Sequence, residues 1–344
     1  MQLYNKLSAK ERAELIDKAG KDRVTISFYQ YYKIEKPQLF RDKLFLEWNL
    51  LDVLGRIYVS YEGINAQLSV PSENFIALKG QLDSIDFLNG IRLNVAIEHH
   101  NKSFLKLKIK VRDKIVADGL DDQTFDVTAK GVHVNAKEFN DMLADPNTIC
   151  VDMRNHYESE IGNFKGAICP DVETFKEELP KVKKMLEGKE EKKILLYCTG
   201  GIRCEKTSAY LKHHGFIDVN QLHGGIIDYA RQLDQDSTLN NNFVGKNFVF
   251  DERRGERISN DIISSCHQCD RPFDTHVNCR NLNCNLLFLQ CDSCKEKYEN
   301  CCSIECIEIV KLPLTEQKKL RKENDNRSIY YSHKRVNLKL NKKI

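Results

Sequence analysis

The sequence predicts an α/β protein made of three folded regions and a charged carboxyl-terminal end. The first hundred residues show strand and helix patterns in the order βαββαβ. Residues 144–236 again alternate strands with helices around one continuously apolar strand, which is typical of a buried parallel sheet. Nine of the thirteen cysteines fall between residues 266 and 306, where strand patterns are scarce. A chain of 344 residues is long enough to form more than one hydrophobic core.

The amino-terminal pattern predicts a ferredoxin-like domain. Its predicted strands are residues 24–32, 57–60, 64–70 and 92–98, and its predicted helices are residues 36–52 and 71–82. The segment Tyr61-Glu62-Gly63 between the second and third strands is typical of a tight hairpin. The order βαββαβ is that of a ferredoxin-like sandwich. No cysteine precedes Cys150 and no polar cluster is evident, so this domain is expected to be a scaffold without chemistry.

A further strand pattern at residues 103–116 alternates apolar residues with cations. Its cations are Lys106, Lys108, Lys110 and Arg112. Because alternate side chains of a strand point to the same side, these cations share one face of the predicted strand. That face is either a solvated surface or a surface that contacts the phosphates of a nucleic acid.

The second region carries a candidate catalytic cysteine. Its predicted elements are a strand at 148–154, a helix at 172–187, an apolar strand at 193–198 and a helix at about 202–214. Cys198 stands where the apolar strand ends, and sites in α/β sheets form at such carboxyl ends. Two glycines allow backbone N–H groups to point inward, while the helix start and an arginine add positive potential that favours a thiolate. The predicted active-site loop comprises Cys198, Thr199, Gly200, Gly201, Ile202 and Arg203.

This loop resembles the active-site loop of the rhodanese family. Residues 151–168 and 223–230 are similar to two other signatures of that family. Four residues separate the loop cysteine from its arginine, whereas phosphatases of this fold have five, so the resemblance favours a persulfide sulfur over a phosphate. The resemblance implies that Asp152 and Arg154 are scaffold residues.

The remaining cysteines of this region have no partner pattern. Cys204 lies six positions after Cys198 and is a possible secondary site residue. It either resolves a persulfide or disulfide on Cys198, or it is a packed core cysteine. Cys150 and Cys169 are interpreted as core residues.

The cysteine-rich region predicts two structural zinc sites. Closely spaced cysteine pairs each supply two thiolates, and a tetrahedral zinc site needs two such pairs. A crossed arrangement would join Cys266 and Cys269 with Cys291 and Cys294, and Cys279 and Cys284 with Cys302 and Cys306. His267 and His276 are spare ligand candidates. Disulfides and an iron–sulfur cluster are the alternatives, and without metal the apolar run at residues 286–289 is too short for a stable core.

The charged end begins at Lys311. It holds eleven Lys or Arg and three Asp or Glu, a net charge of +8, whereas residues 1–310 carry −5. This end either binds nucleic acid or is a solvated tail. Its candidate RNA-binding cations are Lys318, Lys319, Arg321, Lys322, Lys334 and Arg335, and Tyr330 and Tyr331 offer rings for stacking on bases. No membrane-length apolar run and no signal-peptide core are evident, so the expected location is the cytoplasm.

The order of the domains resembles the bacterial tRNA uridine(34) hydroxylases. That family has an acylphosphatase-like (ferredoxin-like) domain, a rhodanese domain and a cysteine-rich domain, and residues 275–303 are similar to its carboxyl-terminal signature. The expected boundaries are 1–120, 121–240, 241–310 and, for the basic tail, 311–344.

The resemblance implies a tRNA-modifying oxidoreductase. The implied reaction is the 5-hydroxylation of uridine at wobble position 34 of tRNA, with molecular oxygen as co-substrate and Cys198 as the essential thiolate or persulfide. The alternatives are a rhodanese-type sulfurtransferase and a non-catalytic RNA-binding protein whose rhodanese domain only positions a partner.

Overall fold

A computed structural model of the chain describes residues 9–98, 100–120, 126–323, 330 and 332. Within these residues the helices are α1 Ala9–Ala19, α2 Pro37–Leu50, α3 Phe75–Asp83, α4 Ala136–Ala144, α5 His156–Ser159, α6 Phe175–Met185, α7 Ile202–His213, α8 Gly225–Gln235, α9 Asp292–Lys297, α10 Ile304–Lys311 and α11 Leu314–Glu323. The strands are β1 Arg23–Tyr31, β2 Leu54–Ser60, β3 Gly63–Pro71, β4 Asn94–Val95, β5 Leu107–Val111, β6 Val132–Val134, β7 Thr148–Asp152, β8 Gly162–Phe164, β9 Lys193–Tyr197, β10 Val219–Leu222, β11 Phe243–Asn247, β12 Glu256–Arg257, β13 His276–Asn278 and β14 Leu287–Leu289. None of the helices in these ranges is long and apolar enough to cross a membrane.

The chain forms two compact units. The first unit contains Met1–Cys150, Leu186–Asn240 and Val249–Glu256, and the second contains Val151–Met185, Asn241–Phe248 and Arg257–Ile344. The chain therefore passes between the units more than once. The domain boundaries expected at residues 120, 240 and 310 stay a prediction.

The amino-terminal part of the first unit has the predicted ferredoxin-like architecture. Its five-stranded sheet has the order β4-β1-β3-β2-β5. β1 and β3 are antiparallel from Arg23 opposite Pro71 to Tyr31 opposite Gly63, and β2 and β3 form the predicted hairpin around Tyr61 and Glu62. Apolar side chains from the sheet and from helices α2 and α3 form one core, in which Trp48 is fully buried.

Two strands of this sheet are shorter than the sequence pattern predicts. β5 pairs in parallel with β2 only from Leu107 to Val111, because β2 turns into the hairpin after Ser60 and leaves no partner beyond that point. β4 ends at Val95, because the backbone N–H of Ile97 donates to the Glu256 carboxylate (3.0 Å) instead of to a strand.

The other sheet of the first unit positions the candidate cysteine. Its order is β6-β10-β9-β7, and β10 runs parallel to both β9 and β6. β9 is buried from Ile194 to Tyr197, as its continuous apolar sequence predicts. β6 and α4 were absent from the sequence pattern, although α4 begins with a capping box in which Asn135 and Glu138 bond each other's backbone N–H groups.

The second unit contains the cysteine-rich region and a small antiparallel sheet. That sheet has the order β12-β11-β8, and the hairpin β13-β14 pairs His276 with Leu289. Two clusters of buried cysteines pack with few apolar side chains, among them Leu286 and Phe288. The small apolar content agrees with the prediction that this region needs another source of stability.

Candidate active site

Cys198 lies at the turn between β9 and α7. Its residue is 1% exposed, and the N–H of Gly201 donates to its Sγ at 3.1 Å. Gly201 has a φ of +102°, a left-handed conformation that a residue with a side chain rarely adopts. The turn therefore requires glycine at this position to point an N–H group at the sulfur.

The surroundings of Cys198 favour its thiolate. Burial opposes ionisation, but the thiol and backbone N–H of Cys204, the charge of Arg203 and the N–H of Gly201 lower the pKa of Cys198 to about 6. Donors that contact the ionised form stabilise it more than burial destabilises it. At neutral pH the Cys198 side chain is therefore mostly a thiolate. Cys204 is fully buried and takes part as a donor.

The segment that closes the site contacts the loop through its backbone. The N–H of Ile226 donates to the Cys198 carbonyl (3.0 Å), and the N–H of Ile227 donates to the Thr199 carbonyl (3.2 Å). Gly225 has a φ of +66°, and a methyl group on it would lie 2.5 Å from both carbonyl oxygens. The resemblance of residues 223–230 to a closing segment thus has a physical basis, because only glycine fits there.

Arg203 joins the loop to a half-buried aromatic ring. Its guanidinium lies 3.4 Å from the Thr199 hydroxyl and 5.9 Å from the centre of the Phe250 ring. The residue is 6% exposed, so its charge acts on the loop with little screening by water. The two polar side chains of the loop after Cys198, those of Thr199 and Arg203, therefore contact each other.

The amino-terminal sheet reaches this loop, which the sequence analysis missed. The hydroxyl of Tyr29 donates to Glu205 in the first turn of α7 (3.0 Å), and the amide of Asn94 donates to the Gly200 carbonyl at 3.4 Å. Arg92 contacts His223 and pairs with Asp228. The expectation that no polar side chains of this domain converge is wrong, and the tyrosines at alternate positions of β1 were the available signal. The interpretation of the domain as a scaffold without chemistry stays a prediction.

In the second unit Asp152 and Arg154 form a buried, bidentate ion pair. Arg154 Nε and a terminal nitrogen donate to the two carboxylate oxygens of Asp152 at 2.8 and 2.7 Å, and both residues are fully buried. Arg154 also donates to the Gly162 carbonyl (2.6 Å). The pair stabilises the end of β7 against β8, which agrees with the scaffold interpretation.

Eight cysteines of the second unit form two groups of four. In each group the four sulfur atoms lie within 4.8 Å of one another, and the groups are Cys266, Cys269, Cys291 and Cys294, and Cys279, Cys284, Cys302 and Cys306. This is the grouping expected from the crossed arrangement. The Sγ atoms of Cys269 and Cys291 are 3.6 Å apart, and those of Cys302 and Cys306 are 3.7 Å apart. A zinc ion about 2.3 Å from four sulfurs requires an edge of about 3.8 Å between them, so both groups fit a tetrahedral metal.

The thiols of each group compete for protons. Burial opposes ionisation of Cys266, but the N–H groups of Cys291, Gln268 and Cys269 lower its pKa to about 7. In the other group contacts with neighbouring thiols raise the pKa of Cys302 and lower that of Cys306. Four touching sulfurs cannot all ionise without a cation, and a divalent metal supplies one.

The two histidines suggested as spare ligands have another role. His267 and His276 place their Nε2 atoms 3.2 and 3.0 Å from the two carboxylate oxygens of Glu160. Burial opposes ionisation of Glu160, but these two histidines lower its pKa. Neither histidine belongs to a group of converging ligand atoms among the described residues. Cys169, interpreted as core, is only half buried and lies near Glu160 in the wall of a cleft.

Comparisons with known proteins cover nearly the whole chain. The UPF0176 acylphosphatase like domain matches residues 23–115, the rhodanese-like domain matches 135–232 and the rhodanase C-terminal model matches 244–307. A protein of Leptospira interrogans serogroup Icterohaemorrhagiae serovar Lai (strain 56601), named tRNA uridine(34) hydroxylase, is 52% identical over 338 residues, 98% of this chain and 91% of that protein. The chain belongs to the tRNA uridine(34) hydroxylase family.

A second relative carries the same name. A tRNA uridine(34) hydroxylase of Pectobacterium carotovorum subsp. carotovorum (strain PC1) is 50% identical over 325 residues, 94% of this chain and 91% of that protein. A solved rhodanese-like domain from Anabaena sp. is 19% identical and covers 33% of this chain and 78% of its own, with a TM-score of 0.27. The family assignment depends on the sequence relatives.

In this member of the tRNA uridine(34) hydroxylase family the strand cations lie around β5. Lys108, Lys110 and Arg112 are exposed, while Lys106 is half buried. Arg56 of β2 is directly opposite Lys108 and was missed by the sequence analysis. Burial lowers the pKa of Lys108, and the neighbouring charges of Lys110, Arg56 and Lys106 lower it further. The cations therefore repel one another, which favours an anionic partner.

Some of the tail cations lie within the residues that the structure describes, and the others lie outside them. Lys318, Lys319 and Lys322 are exposed on α11 and Arg321 is half buried there, so part of the expected tail is helical. Lys334, Arg335 and Tyr331 lie outside the described residues. The ring of Tyr330 stacks on Tyr157 with 6.4 Å between centres, so this ring is already engaged within the second unit.

Proposed function

We infer that this chain is a tRNA uridine(34) hydroxylase, an oxidoreductase that adds a hydroxyl group at C5 of the wobble uridine. The observation that carries the inference is 52% identity to a relative of that name over 98% of this chain. The similarity includes the amino-terminal and cysteine-rich regions, which a stand-alone sulfurtransferase does not need. Family membership and this domain order therefore support the same reaction.

We propose that Cys198 is the essential catalytic residue. Its thiolate is supported by the pKa of about 6 and by the N–H of Gly201. Thr199, Gly200, Gly201, Ile202 and Arg203 form the active-site loop around it. The thiolate acts as a nucleophile toward the substrate or carries a persulfide, and both roles require the ionised sulfur. Cys204 contributes as a hydrogen-bond donor.

We propose that tRNA contacts the cations of the strand and of the tail. The mutual repulsion of Lys106, Lys108, Lys110 and Arg56 supports a phosphate-binding face, and Arg112 extends it. Helix α11 carries four of the tail cations, Lys318, Lys319, Arg321 and Lys322. The proposal also includes Lys334 and Arg335. Phosphate contacts of this kind supply affinity and position, but they do not read the sequence.

We propose one zinc ion for each group of four cysteines. The sulfur separation of 3.6 Å between Cys269 and Cys291 in one group and of 3.7 Å between Cys302 and Cys306 in the other supports a tetrahedral four-thiolate site in each. Bound zinc would neutralise the thiolates. One ion would join Cys266 and Cys269 to the start of α9, and the other would join the end of β13 to α10. The small apolar content of this region supports a structural metal.

The rhodanese-like loop supports sulfur transfer as a second candidate function. Four residues between Cys198 and Arg203 and an ionised sulfur are also what a persulfide carrier needs. In that function the Cys198 thiolate would attack the sulfane sulfur of thiosulfate, release sulfite and pass the persulfide's outer sulfur to a nucleophilic acceptor. Molecular oxygen as co-substrate distinguishes the hydroxylase from this candidate.

The test uses a bacterial strain that lacks its own uridine 34 hydroxylase. The strain receives the wild-type chain, Cys198→Ser, Cys204→Ser or the control Cys169→Ser, and its tRNA nucleosides are measured by mass spectrometry. We expect wild type and Cys169→Ser to restore 5-hydroxyuridine-derived nucleosides, Cys204→Ser to restore them partly, and Cys198→Ser to stay at the level of the empty strain.

Two further outcomes separate the candidates. Growth under isotopically heavy oxygen should label the new hydroxyl group in the wild-type strain. An unlabelled hydroxyl would contradict oxygen as co-substrate. Restoration by Cys198→Ser would contradict the catalytic assignment, and thiosulfate sulfurtransferase activity without any uridine product would favour the second candidate.

A further inference from the structure

Tyr29 lies against the turn that presents Cys198. A methyl group on Gly201 would lie 2.8 Å from the Tyr29 hydroxyl, so this hydroxyl touches the glycine whose N–H reaches the sulfur. The same hydroxyl donates to Glu205 Oε1 at 3.0 Å. Tyr29 is thus in contact with both the turn before α7 and the first turn of that helix.

Glu205 is the centre of a small polar cluster in the first unit. Its Oε1 also lies 2.9 Å from His133 Nε2, and its Oε2 lies 3.1 Å from Lys130 Nζ. The residue is 4% exposed, and it is the immediate neighbour of Cys204 in sequence. The groups that face this carboxylate are therefore Tyr29 from β1, Lys130 and His133 at β6, and the start of its own helix.

We propose that Tyr29 is a positioning residue of the Cys198 site. Its hydroxyl hydrogen-bonds to the Glu205 carboxylate, which weakens the effect of that negative charge on the thiolate, and it holds the Gly201 turn so that the N–H of Gly201 and Cys204 reach the thiolate. The inference rests on the proposed function of Cys198 as the reactive group. It assigns the amino-terminal domain a part in the chemistry of the site, in addition to any contact with tRNA.

The charges around Tyr29 fix its direction of donation. Burial raises the pKa of Tyr29 well above its usual value, and the charges of Glu205 and Cys198 raise it further. Burial opposes ionisation of Glu205, but His133 and Lys130 lower its pKa. Tyr29 therefore keeps its proton, Glu205 is a carboxylate, and the hydroxyl donates to that carboxylate.

Removing the Tyr29 hydroxyl and removing the Glu205 charge have opposite effects on the stability of the Cys198 thiolate. In Tyr29→Phe the Glu205 carboxylate loses a hydrogen-bond donor. Its negative charge then acts more strongly on the Cys198 thiolate, which is destabilised. In Glu205→Gln the negative charge disappears, so the thiolate is stabilised or unchanged. General loosening of the loop would move both variants in the same direction, which makes the pair of variants diagnostic.

The experiment measures the ionisation of Cys198 directly in the full-length, metal-loaded chain. Short pulses of iodoacetamide are given between pH 5 and pH 9, and the labelled fraction is read by mass spectrometry on tryptic peptide 194–203, whose single cysteine is Cys198. We expect the midpoint to rise by about one pH unit in Tyr29→Phe, which slows labelling at pH 6 by about fivefold and leaves the rate at pH 9 unchanged. Glu205→Gln should label at pH 6 at least as fast as wild type.

Tyr32→Phe is the matched control. It removes a hydroxyl from the same segment, but the ring of Tyr32 is 51% exposed and stacks on Phe87. Its labelling profile should equal that of wild type. A Tyr29→Phe profile equal to the control overturns the proposal, as does an upward shift of the midpoint in both Tyr29→Phe and Glu205→Gln.

Hydroxylation of tRNA is then measured on the same variants. Tyr29→Phe should lower kcat near pH 6 with an unchanged KM for tRNA, and the loss should diminish at pH 9. A raised KM with an unchanged kcat would overturn the positioning role. Because labelling needs no tRNA, a shifted labelling midpoint in a chain without hydroxylase activity would overturn the proposed function and leave this inference standing.

Discussion

At the scale of the residue, Cys198 depends on donors supplied by its own loop and helix. Burial by itself would keep the thiol protonated, yet Cys204, Arg203 and Gly201 together lower its pKa to about 6. Because the reactive form is the thiolate, the rate of any Cys198-dependent step follows the ionised fraction. The proposed role of Cys198 therefore predicts that activity depends on pH in this range.

We predict that hydroxylation by the wild-type enzyme falls on the acid side with a midpoint near pH 6. The thiolate is present above this pKa and is lost as the pH falls through it. An ordinary cysteine would give a midpoint at a pH of about 8.5. The measurement is kcat/KM for tRNA between pH 5 and pH 9, with Cys169→Ser as a control that keeps the same profile. A midpoint above pH 8 would contradict the pKa of Cys198.

We predict that Gly225→Ala inactivates the enzyme. Its new methyl group would lie 2.5 Å from the Cys198 and Thr199 carbonyl oxygens, so the loop must move. Gly215→Ala is the control, because Gly215 also has a positive φ (+92°) but a methyl group there meets nothing within 4 Å. Both changes should cost about 1–2 kcal/mol of unfolding free energy through the left-handed backbone.

The two glycine variants are compared by thermal unfolding and by hydroxylation. Only Gly225→Ala should lose activity well beyond its loss of stability. Equal activity of the two variants would show that the contact between the closing segment and the loop does not matter for the reaction.

At the scale of the element, the cysteine-rich region depends on cross-links between short segments. We predict two zinc ions per chain, with Cys266→Ser and Cys279→Ser each losing about one of them. Cys301→Ser is the matched control, because Cys301 is fully buried but belongs to neither group. Elemental analysis of reduced, freshly purified protein gives the metal content.

Metal loss should also have a local structural effect. Hydrogen exchange of β13 and β14 should become fast in Cys266→Ser, because the few apolar contacts of this region cannot replace the metal. Protein without metal, or a Cys301→Ser variant that loses zinc as the other two do, would contradict the two-site arrangement.

Elements governed by local patterns could be predicted from the sequence, and those governed by distant partners could not. The Cys198 turn follows from a buried strand, two glycines and a helix start, all within a few residues. The shortened β4 depends on Glu256, which lies about 160 residues away in the chain. The role of Tyr29 likewise depends on Glu205, so a local pattern shows only the face on which the tyrosine lies.

At the scale of the whole molecule, charge is separated along the chain. Residues 311–344 carry eleven cationic and three anionic side chains, while the rest of the chain is net negative. A tRNA would therefore be attracted mainly by the tail and by the cationic strand face around β5. Each phosphate contact releases counterions, so the salt dependence of binding counts such contacts.

We predict that both surfaces contribute to tRNA affinity. The strand variant changes Lys106, Lys108, Lys110 and Arg112 to Ala, and the tail variant changes Lys318, Lys319, Arg321, Lys322, Lys334 and Arg335 to Ala. The strand variant should fold, because the buried side chains of β5 are Leu107 and Ile109 and remain in place. A control variant neutralises exposed lysines elsewhere, namely Lys176, Lys181, Lys184 and Lys189.

Binding of tRNA is measured from 50 to 300 mM salt for the three variants and wild type. The strand variant loses four phosphate contacts, so its slope of log affinity against log salt should be shallower than that of wild type by about 3. The slope of the tail variant should become shallower by at least as much. Preference for tRNAs with uridine 34 should survive, because we expect the base contacts at the Cys198 loop, and backbone contacts carry no sequence information. A control variant that weakens binding as much as the strand variant would mean that net charge alone governs the affinity. If the strand variant keeps the wild-type slope, β5 is only a solvated face, and the tail carries the electrostatic part of tRNA binding by itself.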